Sequence, residues 1–337
     1  MKYKQLGNTG LKVSELCLGT MTFGGGGFWT AIGTLPQEQV NGLVKQAVDG
    51  GINFIDTANV YSEGLSEQMT GKAIKDLGLN RYDLVLATKV CGKMGEGINN
   101  IGLSRKQILQ QADESLQRLE TDYVDLYQIH AFDPLTPLEE TLEALDILVK
   151  NGKVRYIGCS NLAAWQIMKA LGISAQNHLS KFVSLQAYYT VAARDLEREI
   201  VPLLLDQKLG LMVWSPLAGG LLSGKYNRNT EFTEGRRAQF DFPPIKLDKA
   251  FDIIDVMEVI ANEKQVTVAQ IALAWLLHQP AVTSVIVGAN KPEQLADNMN
   301  AVNVQLTSDE LQKLDEVSEL TPEYPHWMID MQTANRL

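Results

Sequence analysis

Short apolar runs alternate with segments of helical periodicity along most of the chain. Each run is short and almost continuously apolar, which is typical of a parallel strand that is covered on both faces. The runs are ELCLGTM (15–21), NFID (53–56), DLVLATK (83–89), YVDLYQIH (123–130), VRYIGCSN (154–161), FVSLQAYY (182–189), LGLMVWSPLA (209–218) and SVIVGAN (284–290). Helical patterns lie between them at 37–49, 66–77, 104–119, 136–150, 162–171 and 195–207. This alternation predicts an α/β fold, the (β/α)8 TIM barrel.

Two regions exceed a minimal barrel. The opening KYKQLGNTGLKVSEL indicates a short β-hairpin with a Gly-Asn-Thr-Gly turn, placed to cap the barrel floor. Helical patterns at 248–262, 267–278 and 308–318 predict additional helices toward the C-terminus. Since no internal repeat or linker composition interrupts the chain, we expect one domain over residues 1–337. Ser104 is the expected N-cap of its helix.

Composition and charge narrow the class of protein. A formal net charge of −10 argues against a nucleic-acid surface, which would need a basic stripe. No apolar run approaches the roughly 18 residues of a membrane span. The cysteines at 17, 91 and 159 are odd in number and widely spaced, which favours reduced thiols in a cytoplasmic protein. We therefore expect neither a nucleic-acid nor a membrane partner.

Polar side chains follow the apolar runs at the point where each run ends. The second run ends in Asp56, with Tyr61 in the loop beyond it, while Lys89 and His130 end the third and fourth runs. The C-terminal ends of barrel strands surround one open face, where TIM-barrel enzymes place their chemistry. A single lysine or histidine at such a point is usually a solvated surface residue. Four such groups converging on one face instead indicate a proton-transfer site.

The chemistry of these four groups is complementary. A phenol with a pKa of about 10 is a poor acid at neutral pH, and a neighbouring ammonium favours its ionised form. Asp56 pairs with Lys89 and holds its charge, while His130 orients a carbonyl oxygen or stabilises charge developing on it. Such a set protonates an alkoxide, so another group must deliver a hydride. The pattern contains no set of metal ligands and no serine or cysteine nucleophile pair.

Three motifs resemble those of the aldo-keto reductases, over nearly the whole chain. They are GINFIDTANVYSEGLSE around Asp56 and Tyr61, LQRLETDYVDLYQIH up to His130, and VRYIGCSN. SPLAGGLLSGKY and GANKPEQLADN resemble the branch that contains bacterial general reductases and potassium-channel β-subunits. The resemblance implies a catalytic tetrad of Asp56, Tyr61, Lys89 and His130, with Tyr61 as general acid. It also implies NADPH bound across the barrel face.

The resemblance implies further contacts to the cofactor. Groups for the carboxamide, the nicotinamide face, the pyrophosphate and the adenosine are expected in that order along the chain. The implied set is Thr20, Ser160, Asn161, Gln186, Trp214, Ser215, Pro216, Leu217, Gly219, Lys225, Gly288, Asn290, Gln294, Asp297 and Asn298. Better-known members carry a basic PKS motif and an arginine where this chain has Val287-Gly288-Ala289 and Gln294. With fewer cations for a 2′-phosphate, NADH is the alternative to NADPH.

The substrate is expected to be a small-molecule carbonyl compound held by loop residues. Met21, Trp29, Phe132 and Trp327 are the candidates for the pocket wall. Specificity is expected from loops 22–35 and 215–247 and from the tail after residue 320. Three functions stay open: a carbonyl reductase, a cofactor-sensing regulatory subunit of the channel-β type with slow turnover, and a polyol or sugar dehydrogenase running oxidatively. The physiological substrate and an oligomeric partner are not indicated.

Overall fold

Eight parallel strands close into a barrel in a computed structural model that describes residues 1–228, 237, 242–334 and 336. The barrel strands are β3 (Leu16–Gly19), β4 (Phe54–Asp56), β5 (Val85–Val90), β6 (Val124–Ile129), β7 (Val154–Ser160), β8 (Phe182–Tyr188), β9 (Gly210–Trp214) and β10 (Val282–Val287). They neighbour one another in chain order, and β10 pairs with β3 to close the ring. Each strand overlaps one of the eight predicted apolar runs, and the predicted barrel is confirmed; β5 ends one residue after its run, and β10 begins two residues before its run.

Helices cover the outside of the barrel. In chain order they are α1 (Gln37–Asp49), α2 (Leu65–Asp76), α3 (Arg105–Arg118), α4 (Leu138–Lys150), α5 (Ala164–Gln176), α6 (Leu196–Gln207), α7 (Leu247–Lys264), α8 (Val268–His278), α9 (Pro292–Asn300), α10 (Ser308–Val317) and α11 (His326–Ala334). Ser104 caps α3 by accepting a hydrogen bond from the backbone N–H of Gln107, as expected. The sequence patterns missed α9 and α11.

Helix α5 runs five residues beyond the end predicted for it. The predicted helix ends at Leu171, directly before Gly172, and glycine costs roughly 1 kcal/mol in a helix. The helix continues through Gly172 and buries Ser174 on its inner face. Tertiary packing therefore overrides the local preference of this glycine.

The N-terminal hairpin closes the floor of the barrel. Strands β1 (Tyr3–Gln5) and β2 (Lys12–Ser14) pair antiparallel. Leu6 and Val13 are fully buried in the cluster that fills the lower barrel interior. Gly7 begins the turn with φ +59°, and a Cβ there would lie 2.3 Å from the carbonyl oxygen of Val183. This position therefore requires glycine.

A second apolar layer lies between the barrel and its helices. Trp275 on α8 is fully buried there, and its Nε1 donates to Asp315 Oδ1 at 3.1 Å. Within the described residues, no helix combines the length and apolar character needed to cross a membrane. The predicted loop 215–247 is described in part, since residues 229–236 and 238–241 lie outside the described residues.

Candidate active site

Four side chains from three neighbouring strands meet at the C-terminal end of the barrel. Asp56 is the last residue of β4, Lys89 lies in β5, and His130 directly follows β6. Tyr61 begins a short 3-10 helix, Tyr61–Gly64, in which the next two residues have positive φ. This tight turn returns the chain over the barrel end and leaves the phenol 9% exposed.

Lys89 is fully buried beneath this site, and all three of its N–H groups are used. Its Nζ donates to Asp56 Oδ2 at 2.6 Å, to the carbonyl oxygen of Thr57 at 2.8 Å and to Tyr61 Oη at 3.2 Å. Burial opposes the charge, but the Asp56 carboxylate and the Tyr61 phenol outweigh it and raise the pKa of Lys89. Lys89 is therefore an ammonium ion held against the Tyr61 oxygen.

Two buried amides hold the second oxygen of Asp56. Gln128 Nε2 donates to Asp56 Oδ1 at 2.9 Å, and Gln186 Nε2 donates to the same oxygen at 3.0 Å. Both glutamines point into the barrel from alternate strands, β6 and β8, and are at most 2% exposed. Charged hydrogen bonds of this kind stabilise the ionised carboxylate. Asp56 thus accepts three hydrogen bonds, one from a cation and two from amides.

His130 forms the wall of the site beside the phenol. Its ring centroid lies 5.7 Å from that of Tyr61, with the rings edge to face. Burial and the nearby Lys89 ammonium lower the pKa of His130 to about 3. A neutral imidazole carries one N–H donor and one acceptor nitrogen. His130 therefore offers a hydrogen bond at neutral pH without adding a second positive charge.

A cavity of about 670 Å³ opens above these groups. Asp56, Tyr61 and His130 form its inner end, and Met21 and Trp29 line the same cavity, as predicted for a substrate wall. The Trp29 ring meets the Tyr61 ring edge-on at 5.6 Å. This end of the cavity is largely apolar and lies against the phenol, which suits a small carbonyl compound.

Every residue that the resemblance assigns to the cofactor lines this cavity. They are Thr20, Ser160, Asn161, Gln186, Trp214, Ser215, Pro216, Leu217, Gly219, Lys225, Gly288, Asn290, Gln294, Asp297 and Asn298. Ser160 is 1% exposed, and its hydroxyl has no hydrogen-bond partner among the described residues. A buried polar atom without a partner is costly, so a bound ligand with a polar group would satisfy this hydroxyl.

The polar atoms of Asn161 are already engaged within the protein. Its amide donates to the carbonyl oxygen of His130 at 3.0 Å and accepts from Trp214 Nε1 at 3.0 Å. Asn161 has φ +59°, a left-handed conformation that asparagine tolerates. Trp214 is further held by the Phe242 ring, which stacks parallel to it at 5.7 Å. Asn161 therefore orients the neighbouring aromatic residue.

Residues 215–220 form a tight cradle along the cavity. Ser215, Ala218, Gly219 and Gly220 all have positive φ, and Gly219 donates its backbone N–H to Ser215 Oγ at 3.1 Å. A Cβ on Gly219 would lie 2.7 Å from the carbonyl oxygen of Phe242. Turns with successive left-handed residues point backbone N–H groups at anions. In this turn the N–H groups of Ala218 and Gly220 also donate internally, to the carbonyl oxygens of Ser215 and Leu217, so these three amides already have partners within the protein.

The outer end of the cavity meets the start of α9. Asp297 accepts from Thr267 Oγ1 at 3.0 Å and from Gln270 Nε2 at 2.8 Å, which fixes its carboxylate. Gln294 Oε1 accepts the backbone N–H of Asn290 at 3.1 Å. Among the described residues that line the cavity, Lys225 is the only lysine or arginine. Positive charge for a 2′-phosphate is therefore sparse in the described part of this wall.

Two candidates for the substrate wall lie elsewhere. The Phe132 ring packs edge-on against Trp165 at 6.1 Å, and Trp327 on α11 packs against Tyr324 at 6.1 Å. Neither residue lines the cavity. Both are aromatic residues outside the barrel strands, where the side-chain direction depends on packing that no local pattern specifies.

The sequence analysis also missed residues at the site. Gln128 reaches Asp56 from inside a strand, and its signal is an amide within an otherwise buried run. Phe28 and Phe242 line the cavity from loops. Arg237 is buried and donates to the carbonyl oxygens of Ala218 and Pro243, joining two parts of the 215–247 segment. Nothing in the local pattern marks these last three residues.

Comparison with known proteins identifies related chains. The family model described as "Aldo/keto reductase family" matches residues 15–319. Versiconal hemiacetal acetate reductase of Aspergillus parasiticus is 37% identical, with 94% of this chain and 96% of the relative covered. A probable voltage-gated potassium channel subunit beta of Arabidopsis thaliana is 38% identical over 96% and 99%. An uncharacterized oxidoreductase, YrpG, of Bacillus subtilis (strain 168) is 38% identical over 94% and 96%.

Proposed function

Because this chain belongs to the aldo/keto reductase family, we propose that it reduces an aldehyde or ketone to an alcohol with NADPH as hydride donor. Oxidoreductases among its relatives support this class of reaction. The observation that carries the proposal is the contact of the Lys89 ammonium with both Asp56 and the Tyr61 hydroxyl. This contact supports Tyr61 as a proton donor at the inner end of the cavity.

Tyr61 is the proposed general acid. Its hydroxyl gives a proton to the carbonyl oxygen of the substrate as that oxygen gains negative charge. The Lys89 ammonium, 3.2 Å away, favours the phenolate that remains. Asp56 offsets the cost of burying this cation, so that Lys89 keeps its charge at the site.

His130 positions the substrate in this proposal. Because its pKa is lowered to about 3, its ring is neutral at physiological pH. One ring N–H donates to the carbonyl oxygen, which the Tyr61 hydroxyl reaches from the other side. Two donors that converge on one oxygen stabilise charge as it develops. The Trp29 ring packs against the Tyr61 ring at 5.6 Å and forms an apolar wall beside the proton donor.

The cofactor assignment rests on the fit of the cavity. When bound, NADPH supplies the hydride that adds to the carbonyl carbon. The unpartnered Ser160 hydroxyl suits the carboxamide, and the Lys225 ammonium on the cavity wall suits a phosphate group. NADH stays an alternative because Lys225 is the single cation on the described cavity wall and Asp297 adds a carboxylate. A cytoplasmic location belongs to the same proposal, since cysteines 17, 91 and 159 are unpaired.

The test is NADPH oxidation, followed at 340 nm, with a panel of aldehydes and ketones. Wild type is compared with Tyr61→Phe, which keeps the ring and removes the proton. We expect kcat to fall about 10²- to 10⁴-fold, while NADPH binding, followed by fluorescence quenching, is retained. Tyr82→Phe is a matched control, because Tyr82 is 84% exposed and does not line the cavity.

Each outcome separates the candidate functions. Turnover that depends on Tyr61 supports the reductase. Tight NADPH binding with negligible turnover on every carbonyl would favour a cofactor-sensing regulatory role, the function class suggested by the name of the Arabidopsis relative. Turnover confined to NADP⁺ with polyols or sugars would favour the oxidative dehydrogenase. Absence of NADPH and NADH binding would refute the cofactor assignment.

A further inference from the structure

We propose that Gln128 is a positioning residue for proton transfer, which fixes the Asp56 carboxylate so that Lys89 reaches the Tyr61 hydroxyl. The inference rests on the proposed role of Tyr61 as proton donor. Gln128 does not line the cavity, so its effect on substrate passes through Asp56 and Lys89. The two oxygens of Asp56 have separate tasks, because Oδ2 binds the ammonium and Oδ1 binds the amides.

The two amides are not equivalent. Gln186 lines the cavity and is within reach of a bound ligand, whereas Gln128 is fully buried below it. The Gln186 Nε2 also lies 3.4 Å from Gln128 Oε1, which links the two side chains. When a ligand recruits Gln186, Gln128 remains as the donor that holds Asp56 Oδ1. We infer that this inner amide keeps the carboxylate in place through the reaction.

The barrel makes room for this side chain with a glycine. Gly158 on β7 is the register partner of Gln128 on β6. A Cβ at Gly158 would lie 3.2 Å from Gln128 Cγ and 2.8 Å from Ser184 Oγ. Spaces this tight require the neighbours to move. Gly158 therefore permits the extended glutamine that reaches across the barrel to Asp56.

Loss of the Gln128 amide changes how Asp56 and Tyr61 share the Lys89 ammonium. Without this donor, Asp56 Oδ1 accepts one hydrogen bond fewer, and the carboxylate is free to turn both oxygens toward the ammonium. All three Lys89 N–H groups are in use, and the bond to Tyr61 is the longest at 3.2 Å. The ammonium is then drawn away from the phenol. A more distant cation favours the phenolate less, so Tyr61 becomes a weaker acid.

Gln128→Met is the test, because methionine has a similar length and no donor. The titration of Tyr61 is followed by NMR of tyrosine labelled with ¹³C at Cζ, with Tyr61→Phe identifying the signal. We expect the phenol midpoint to rise by roughly half a unit to one unit, part of the one to three units that a close opposite charge produces. We expect kcat to fall about 10-fold at pH 7. The pH above which kcat is lost should rise by the same amount as the Tyr61 midpoint.

Gln107→Met is the matched control. Gln107 is also a fully buried glutamine, but it lies on α3 and its side-chain atoms have no hydrogen-bond partner among the described residues. We expect this variant to keep the wild-type Tyr61 midpoint. Gly158→Ala, which crowds Gln128 without touching Asp56, is expected to shift the midpoint in the direction of Gln128→Met.

The readouts separate failure of this inference from failure of the proposed function. The NMR titration needs no turnover, so it reports on Gln128 even if no carbonyl compound is reduced. An unchanged Tyr61 midpoint in a folded Gln128→Met protein would overturn the positioning role. If Gln128→Met shifts the Tyr61 midpoint while the wild-type protein reduces no carbonyl compound, the positioning role of Gln128 is supported and the reductase function is rejected.

Discussion

Replacing Lys89 with methionine tests the buried ion pair beneath the site. Lys89 is fully buried and binds Asp56 Oδ2 at 2.6 Å, and the Asp56 side chain is 3% exposed. Methionine fills most of the same space without charge. The change leaves the Asp56 carboxylate in the barrel interior without its cation. An unpaired charge at such a depth is strongly unfavourable.

The structure limits how much Lys89→Met can destabilise the protein. Breaking one side of a buried ion pair costs about 3–5 kcal/mol. Gln128 and Gln186 still donate to Asp56, so we expect the lower end, about 3 kcal/mol. At about 2.1 cal/mol/K per residue, the unfolding entropy of 337 residues is roughly 0.7 kcal/mol/K. The melting temperature should therefore fall by about 4 °C.

The assay is equilibrium urea unfolding at pH 7. The free energies of unfolding are compared between proteins whose m-values are equal. Lys153→Met is the control, because Lys153 pairs with Asp113 at 2.6 Å on the surface. Exposed pairs contribute about 0–1 kcal/mol. The double variant Asp56→Asn/Lys89→Met removes both charges and should recover much of the lost stability. A cost below about 1 kcal/mol for Lys89→Met, or a double variant no more stable than it, would refute the reasoning.

The pH dependence of this contribution has a definite sign. Burial works against the charge of Lys89, but Asp56 and Tyr61 raise its pKa in the folded protein above the ordinary value. The stability from Lys89 is therefore complete below the unfolded pKa of about 10.4 and is lost as pH rises through the folded pKa. The difference in unfolding free energy between wild type and the double variant Asp56→Asn/Lys89→Met, which has no titratable group at either position, should stay constant from about pH 6 to 9.

Two further predictions concern protonation and packing. Because burial and Lys89 lower the pKa of His130 to about 3, the stability from its neutral form is present above the unfolded pKa and is lost as pH falls toward 3. Urea unfolding should show a loss of up to about 1.4 kcal/mol per pH unit below pH 6.5 that His130→Gln lacks, and equal slopes would contradict this. Gly71→Ala should destabilise by about 1–3 kcal/mol, because its Cβ would lie 2.4 Å from the carbonyl oxygen of Leu119. Gly42→Ala on α1 should stabilise the protein by about 0.5–1 kcal/mol, because nothing lies within 4 Å of the added Cβ. Thermal unfolding checks both glycine variants, and a melting temperature that moves in the opposite direction would contradict the prediction for that variant.

Local patterns were sufficient for the barrel strands and for the four central residues of the site. A continuously apolar run that ends in a polar side chain predicts both a covered strand and the point where that strand reaches the barrel end, as at Asp56 and Lys89. The same logic failed for α9 and α11. The sequence pattern at 288–298 indicates a binding motif and not a helix, and no residue of α11 is buried, so that helix has no apolar stripe facing the core.

The sequence by itself determined the order of the barrel strands, the family, and the residue types that reach the barrel end. These features depend on periodicity and on positions within one run. Only the tertiary structure decided which side chains bind one another. Gln186 donates to an aspartate 130 positions earlier in the chain, and Gln128 to the same oxygen across 72 positions. Such pairs depend on barrel closure and strand register, because a hydrogen bond needs its two atoms within about 3 Å whatever their separation along the chain.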